Sequence, residues 1–152
     1  MGGDLTSPSP NGTDTIRLTI GSRLELLSMV HALISQMSRQ YELSEDLENA
    51  LLIAVIEAGT NAIQHGNCFA EDKSVEFEFV VGSGEIVVAV DDFGTGFDPS
   101  KVEDPTDSST LLNPHGRGLY LMRELMDEVS FDVRADHGTR ILLRKSRVNA
   151  TA

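Results

Sequence analysis

Two polar side chains stand four residues apart near the end of a long apolar run. Glu57 and Asn61 follow residues 47–56, most of which are Ala, Leu, Ile or Val, and Gln64 and His65 come shortly afterwards. Residues four apart project from the same face of a helix, so a helix here presents a carboxylate and an amide one turn apart. Such a face on a buried helix serves either a ligand or a satisfied polar network, and the spacing favours neither.

A carboxylate followed by two glycines is the second candidate for a site. Asp92, Gly94 and Gly96 come directly after a strand-like run. The glycines allow the backbone to turn tightly and approach a flat ligand, while a shielded carboxylate can accept a hydrogen bond from an amino group. An ordinary Asp-Gly turn has the same composition, and it is the favoured interpretation of this motif taken alone.

The third candidate is a pair of glycines at the start of a helical pattern. Gly116 and Gly118 flank Arg117. The unpaired N–H groups of a helix N-terminus bind phosphate without a lysine, and Arg117 would add a positive charge. Taken alone, this motif is better interpreted as a loop end with an exposed arginine.

Four segments together resemble the N, G1, G2 and G3 boxes of the gyrase/chaperone/histidine-kinase (GHKL) ATP-binding fold, and all four appear in order. They lie at residues 57–66, 92–96, 116–121 and 138–139. Within that superfamily the chain is most similar to the anti-sigma factor serine/threonine kinases. The similarity lies in size, in the Glu-x-x-x-Asn-Ala-x-x-His pattern, and in the run Leu-Met-x-x-Leu-Met-Asp-Glu-Val at 121–129. It covers about residues 14–145.

The resemblance implies a role for each motif residue. Glu57 is implied as the catalytic base that activates the attacking hydroxyl, and Asn61 as the ligand of the Mg²⁺ that bridges the phosphates. Asp92 is implied as the acceptor for the adenine amino group, with Thr139 near it. The other implied ATP-binding residues are His65, Gly94, Gly96, His115, Gly116, Arg117, Gly118 and Leu119. ATP and Mg²⁺ are therefore the implied cofactors.

Two details of the boxes stay open. Related kinases often have a basic residue before the first G2 glycine, whereas this chain has His115 there and Arg117 inside the box. Either residue is a candidate for contact with the terminal phosphate. Asp91 also stands next to Asp92, so the alternative assignment is that Asp91 accepts the adenine amino group.

Other chemistry is less well supported. His65 and Cys68 lie close in sequence, but a structural zinc site usually has four ligands and no second pair is nearby. His31 lies within the first predicted helix, which favours a core or surface histidine over a phospho-acceptor. Cys68 is the only cysteine, so no intramolecular disulfide is possible and a cytoplasmic location is the expected one.

The elements that must position these residues follow from periodicity and capping signals. The first half of the chain is predicted to form a strand at 14–20, a helix from an N-cap at Ser22 to about Tyr41, a helix from an N-cap at Ser44 to about His65, and strands at 75–81 and 85–91. Residues 98–115 show no periodicity, which predicts a lid or a disordered stretch. A helix at 117–127 and strands at 131–135 and 139–144 are predicted to follow. We therefore predict an α+β fold. It is a two-layer α/β sandwich with helices on one face of a mostly antiparallel sheet, the Bergerat fold of GHKL proteins.

Length and charge constrain the domain organisation and the partners. The 152 residues fit one domain, predicted at 14–145 between a disordered N-terminal tail at 1–13 and a C-terminal tail at 146–152. The formal net charge of −12 disfavours nucleic acid and anionic membranes as partners. No signal-peptide pattern or membrane-spanning apolar run is present in the sequence.

The resemblance implies an ATP-dependent serine/threonine protein kinase that binds a sigma factor and phosphorylates an anti-sigma antagonist. A hydrolysis-driven machine needs a second domain, and a histidine kinase needs a phospho-acceptor helix pair. Because the sequence has little outside the nucleotide-binding core, we expect a kinase that acts on a separate protein. The alternative is a nucleotide-gated regulatory binding module without significant catalysis. Glu57 argues against it, since binding alone needs no base there. A homodimer through the exposed strand at 14–20 is a further possibility.

Overall fold

The computed structural model describes residues 12–94, 114–134 and 138–147, and at 114–117 it describes the backbone alone. The elements in chain order are β1 (Thr13–Gly21), α1 (Leu27–Gln40), α2 (Glu45–Asn61), β2 (Ser74–Gly82), β3 (Glu85–Asp91), α3 (Pro114–Leu125), β4 (Glu128–Arg134) and β5 (Gly138–Ser146). A 3-10 turn, Leu24–Leu26, precedes α1, and a π-helical turn, Ala62–Gly66, follows α2.

The five strands form one antiparallel sheet in the order β1-β2-β3-β5-β4. Side chains alternate between the two faces along each strand, and one face of the sheet contacts residues from all three helices in a single core. The sheet contributes Val75, Phe77, Phe79, Val81, Ile86, Val88, Val90, Ile141 and Leu143 to that core. The predicted two-layer α+β sandwich is therefore confirmed.

Helix α2 crosses the middle of the core, as its apolar composition predicts. Leu51, Ala54 and Val55 are fully buried. The predicted N-cap is present, because the Ser44 side chain accepts a hydrogen bond from the N–H of Leu47 at 3.2 Å. Three acidic residues in the first turn suit the positive end of the helix dipole. These features fix where α2 begins, and its C-terminal turns bear the candidate polar residues.

The prediction that Ser22 caps the first helix is wrong. The Ser22 hydroxyl donates to the carbonyl of Lys73 at 2.6 Å and accepts from the Asn67 amide at 2.9 Å. The chain enters α1 through the 3-10 turn, whose N-cap Arg23 makes no side-chain capping bond. A partner distant in sequence has replaced the local one, because the buried amide of Asn67 needs an acceptor there.

Three predicted boundaries also differ from the structure. Helix α3 begins at Pro114, inside the stretch predicted to lack structure, and not at Arg117. Proline is tolerated in the first turn of a helix because the N–H it lacks would have no helical partner. Strand β4 begins at Glu128, three residues before the predicted start. The α-helical part of α2 ends at Asn61, and π-helical geometry replaces it as far as Gly66.

None of the helices within the described residues is long and apolar enough to cross a membrane.

Arg147, which follows β5, contacts two other parts of the fold. Its guanidinium donates to the carbonyl of Gly82 at 2.6 Å and to that of Tyr41 at 3.0 Å, and it lies 6.0 Å from the centre of the Tyr41 ring. The Tyr41 hydroxyl in turn donates to Asp14. Burial and this bond raise the pKa of Tyr41 to about 12. Ser146 and Arg147, which follow the domain end predicted at 145, thus contact other parts of the fold.

We expect Arg147→Ala to lower the free energy of unfolding by about 2 kcal/mol, because hydrogen bonds from a charged donor are lost and two carbonyls lose their partner. Urea denaturation monitored by circular dichroism measures this. Arg144→Ala is the control, since Arg144 pairs with Glu85 and Glu128 at the exposed surface and such pairs contribute under about 1 kcal/mol. Equal losses in the two variants would contradict the prediction.

Candidate functional site

A cleft opens between the end of α2, the first half of α3 and the sheet. It brings together residues from all four sequence motifs. The lining residues are Asn61, His65, Gly66, Asp92, Leu119, Phe131, Thr139 and Ile141. The motifs are separated in the chain by up to 78 positions (139 − 61), so the fold alone assembles them.

Asp92 is the buried carboxylate of the cleft, at 5% exposure. Its Oδ1 accepts from the N–H of Gly94 at 3.1 Å and from the N–H of Thr139 at 3.2 Å, while its own N–H donates to the Thr139 carbonyl. Its Oδ2 lies beside Gly66. Burial raises the pKa of Asp92, and the two backbone N–H bonds oppose that rise. The backbone thus orients one oxygen of a carboxyl that is largely removed from solvent.

Asp91 points to the opposite face of the sheet. Its carboxylate accepts two hydrogen bonds from the Arg140 guanidinium, at 2.8 and 2.9 Å. Arg17 and Glu78 lie on that same outer face. Alternation along the chain at the end of β3 therefore separates the two neighbouring carboxylates, and Asp92 is the one that lines the cleft.

Two glycines beside Asp92 permit close backbone contacts. A Cβ on Gly94 would lie 1.7 Å from the carbonyl oxygen of Gly66. Gly138 has a φ of +87°, and a Cβ there would lie 2.1 Å from the Asp92 carbonyl oxygen. No side chain fits at either position, so these glycines bring the segments around Asp92 together.

Glu57 and Asn61 lie on one face of α2, as their spacing predicts, at the point where α3 approaches. A Cβ on Gly118 would lie 2.7 Å from Glu57 Oε2 and 3.7 Å from Asn61 Nδ2. Burial raises the pKa of Glu57. Asn61 lines the cleft, whereas Glu57 stands next to it under the first turns of α3. The carboxylate is therefore half-buried and adjacent to the site.

The π-helical turn places the last part of the first motif. Because π geometry widens the helix after Asn61, it changes the direction of the next residues, and such turns are frequent at functional sites. His65 and Gly66 reach the cleft in this turn, with the His65 side chain exposed. Within the described residues, no group of three or more His, Cys, Asp or Glu side chains could hold a metal ion.

Some predicted site residues fall outside this description. Gly96 and most of the predicted lid lie outside the described residues. His115, Gly116 and Arg117 occupy the first turn of α3, where only the backbone is described. The choice between His115 and Arg117 for the terminal phosphate therefore stays open.

The sequence interpretation missed three residues of the site region. Phe131 and Ile141 form an apolar wall together with Leu119. Their inward direction follows from strand alternation, but their proximity depends on the strand order. Asn67 is 2% exposed and takes part in five hydrogen bonds, among them one with the N–H of Phe93 next to Asp92 and one with the Ala62 carbonyl in the π-helical turn. The only sequence signal for it was its position directly after Gly66.

Comparison with known proteins gives the family. Residues 20–145 match the histidine kinase-like ATPase domain. The serine-protein kinase RsbW of Bacillus subtilis (strain 168) is 35% identical over 127 residues, which cover 78% of each chain. RsbW of Listeria monocytogenes serovar 1/2a is 30% identical over 142 residues, or 87% of each chain. This chain belongs to the RsbW family of histidine kinase-like ATPase domains. The GHKL resemblance is thus confirmed.

A solved structure shows the same fold. A crystal structure of the RsbU and RsbW domains of a Mycobacterium tuberculosis protein aligns with 89% of this chain at a TM-score of 0.64 and 17% identity. The aligned part makes up 33% of that longer chain.

The cleft of the kinase domain suits a ligand with a flat, amino-bearing ring at one end. Asp92 offers a buried acceptor, and Leu119, Phe131 and Ile141 offer an apolar surface for the ring. At the other end, the amide of Asn61 and the start of α3 suit an anionic group. This combination of groups matches a nucleotide.

Proposed function

We propose that this protein is an ATP-dependent serine/threonine protein kinase of the anti-sigma factor type, which binds a sigma factor and phosphorylates an anti-sigma antagonist. The supporting observation is that Asp92 and Asn61 line one cleft and Glu57 lies next to it, in a chain similar to RsbW serine-protein kinases over most of its length. A histidine kinase-like ATPase domain uses ATP, and the cleft is its proposed site.

The adenine would lie against the apolar wall with its amino group at Asp92. A carboxylate accepts but does not donate, so it favours adenine over a base with an oxygen at that position. Thr139, which is 2% exposed, lies beside Asp92 and would hold the ring directly or through a water. This assigns selection of the base to Asp92.

The phosphates would lie at the start of α3. The N–H groups of the first helical turn point out of the helix without partners inside it. Gly118 has no side chain, so Glu57 and Asn61 lie close to this end of α3. Asn61 would hold Mg²⁺ through its side-chain oxygen. One protein ligand fits this ion, which takes its remaining ligands from phosphate oxygens and water. When bound, Mg²⁺ supplies positive charge that neutralises the phosphates.

Glu57 would act as the base. Its carboxylate would take the proton from the serine or threonine hydroxyl while the oxygen attacks the terminal phosphorus. The new O–P bond forms as the bond from that phosphorus to the bridging oxygen breaks, and its electron pair leaves with ADP. Burial raises the pKa of Glu57, which makes its carboxylate a better proton acceptor near neutral pH.

The partners and the assembly are further parts of the proposal. The sigma factor and the antagonist are proposed from the kinship with RsbW kinases. Homodimer formation would use the β1 edge, since β1 pairs only with β2 among the described strands.

Phosphate transfer to the antagonist tests the proposal. The full chain is incubated with Mg²⁺, ATP labelled at the terminal phosphate, and an anti-sigma antagonist domain from the same organism. We expect label on the antagonist, and none when EDTA is added or when the acceptor serine or threonine is replaced by alanine. If calorimetry shows ATP binding and no label is transferred, the protein is the alternative, a nucleotide-gated binding module without catalysis.

A further inference from the structure

Asn67 is a buried amide whose side chain joins three parts of the chain. Its Nδ2 donates to the Ser22 hydroxyl and to the Ser74 carbonyl, both at 2.9 Å. Its Oδ1 accepts from the N–H of Phe93 at 2.8 Å. The side chain is 2% exposed, and these bonds use both of its donors and its acceptor. An amide suits this position because the surroundings offer two acceptors and one donor.

The bond to Phe93 has a different consequence from the other two. Phe93 lies between Asp92, whose carboxylate lines the cleft, and Gly94, whose N–H donates to that carboxylate. The bonds to Ser22 and Ser74 instead fix the loop between α2 and β2 to the rest of the fold. Asn67 thus connects that loop to the turn that bears Asp92.

The backbone of Asn67 anchors the other end of this connection. Its N–H donates to the Ala62 carbonyl at 2.8 Å, which closes the π-helical turn after Asn61. Gly66, the preceding residue, lies against the Asp92 carboxylate. Asn67 therefore links the wall of the cleft that bears Asn61 to the wall that bears Asp92.

We propose that Asn67 is a positioning residue for recognition of the adenine amino group. By holding the N–H of Phe93, it fixes the backbone on which Asp92 is mounted, and so the place where that carboxylate accepts. This inference rests on the proposed function of the site. Glu57 and Asn61 lie on α2, before the π-helical turn that Asn67 closes, so they are expected to keep their helical positions when the Asn67 side chain is removed.

The test compares ATP with inosine triphosphate, which has an oxygen in place of the adenine amino group. Calorimetry with the full chain and Mg²⁺ measures both affinities. Wild type is expected to prefer ATP. Asn67→Ala is expected to weaken ATP binding about tenfold and to leave inosine triphosphate binding almost unchanged, since only the amino contact depends on Asp92. A merely structural role would weaken both nucleotides equally.

Ser22→Ala is the matched control. It removes an acceptor of the same amide but retains the bond to Phe93, so the ratio of the two affinities is expected to stay at the wild-type value. Should Asn67→Ala fail to fold, Asn67→Thr fills more of the space while its side chain is too short to reach the N–H of Phe93.

Each outcome separates this inference from the proposed function. If wild type prefers ATP and the Asn67 variants keep that preference, the positioning role is wrong and the adenine site stands. If wild type binds the two nucleotides equally, Asp92 does not read the amino group, and both the adenine assignment and the positioning role are overturned.

Discussion

Glu57→Gln is expected to lower phosphate transfer to the antagonist by about 10²- to 10⁴-fold, the range for loss of a general base. Glutamine has nearly the same shape but does not take the proton of the attacking hydroxyl at neutral pH. The adenine acceptor and the start of α3 are unchanged, so ATP affinity is expected to stay within about twofold. Single-turnover transfer and calorimetry measure the two quantities separately.

The pH profile distinguishes a base from a residue that only shapes the site. If Glu57 is the base, as proposed, transfer requires its carboxylate form, so the rate is expected to rise with pH as this group loses its proton. Burial raises the pKa of Glu57, which moves that rise above the ordinary glutamate value of about 4.3. The residual phosphate transfer by Glu57→Gln is expected to lack this rise of rate with pH in the acidic range.

Gln64→Ala is the control for the base, because Gln64 lies on the turn that follows Asn61 and is partly buried as Glu57 is. It is expected to transfer phosphate at close to the wild-type rate. Near-normal transfer by Glu57→Gln would show that another group, or none, accepts the proton.

Periodicity and local spacing predicted the parts of the site that depend on one element. The four-residue spacing of Glu57 and Asn61 required only that α2 be helical. The sequence of β3 did not decide between the two carboxylates, because residues 86–90 are all apolar and Asp91 and Asp92 are both buried. Periodicity decides which face a side chain occupies only where apolar and polar residues alternate along the element.

The features that were missed depend on contacts between distant segments. Ser22 has the composition of an N-cap, but its partner Asn67 lies 45 residues away and no local pattern reveals it. Phe131 and Ile141 meet the cleft because β5 lies between β3 and β4, an order that alternation does not specify. Pro114 marks a loop in most contexts, and here it occupies the first turn of α3.

Asp92→Asn is expected to reduce ATP affinity by about 10²- to 10³-fold. The amide oxygen can still accept from the N–H groups of Gly94 and Thr139, so the local backbone is retained. The amide nitrogen, however, presents a donor to the adenine amino group, which is also a donor. Loss of a charged acceptor together with an unsatisfied donor accounts for this magnitude. Calorimetry with Mg-ATP measures it.

The same variant is expected to be more stable than wild type when no nucleotide is present. Burial raises the pKa of Asp92, so the folded state binds the proton more tightly than the unfolded state does. The contribution of Asp92 to stability therefore falls as pH rises from the ordinary aspartate value of about 3.9 to the raised pKa. Near neutral pH the buried charge of Asp92 lowers the free energy of unfolding of the wild type. Asp92→Asn has no such charge, so the variant is expected to melt at a higher temperature.

Added Mg-ATP is expected to reverse this order. Nucleotide that binds only the folded state raises the melting temperature of wild type, and it leaves Asp92→Asn almost unchanged. Asp91→Asn is the matched control, and it is expected to have the opposite effects on stability and on ATP affinity. Asp91 accepts two bonds from Arg140, so its substitution lowers stability and leaves ATP affinity intact. If Asp91→Asn loses ATP binding and Asp92→Asn keeps it, the adenine carboxylate is the neighbouring residue and the proposed binding geometry is wrong.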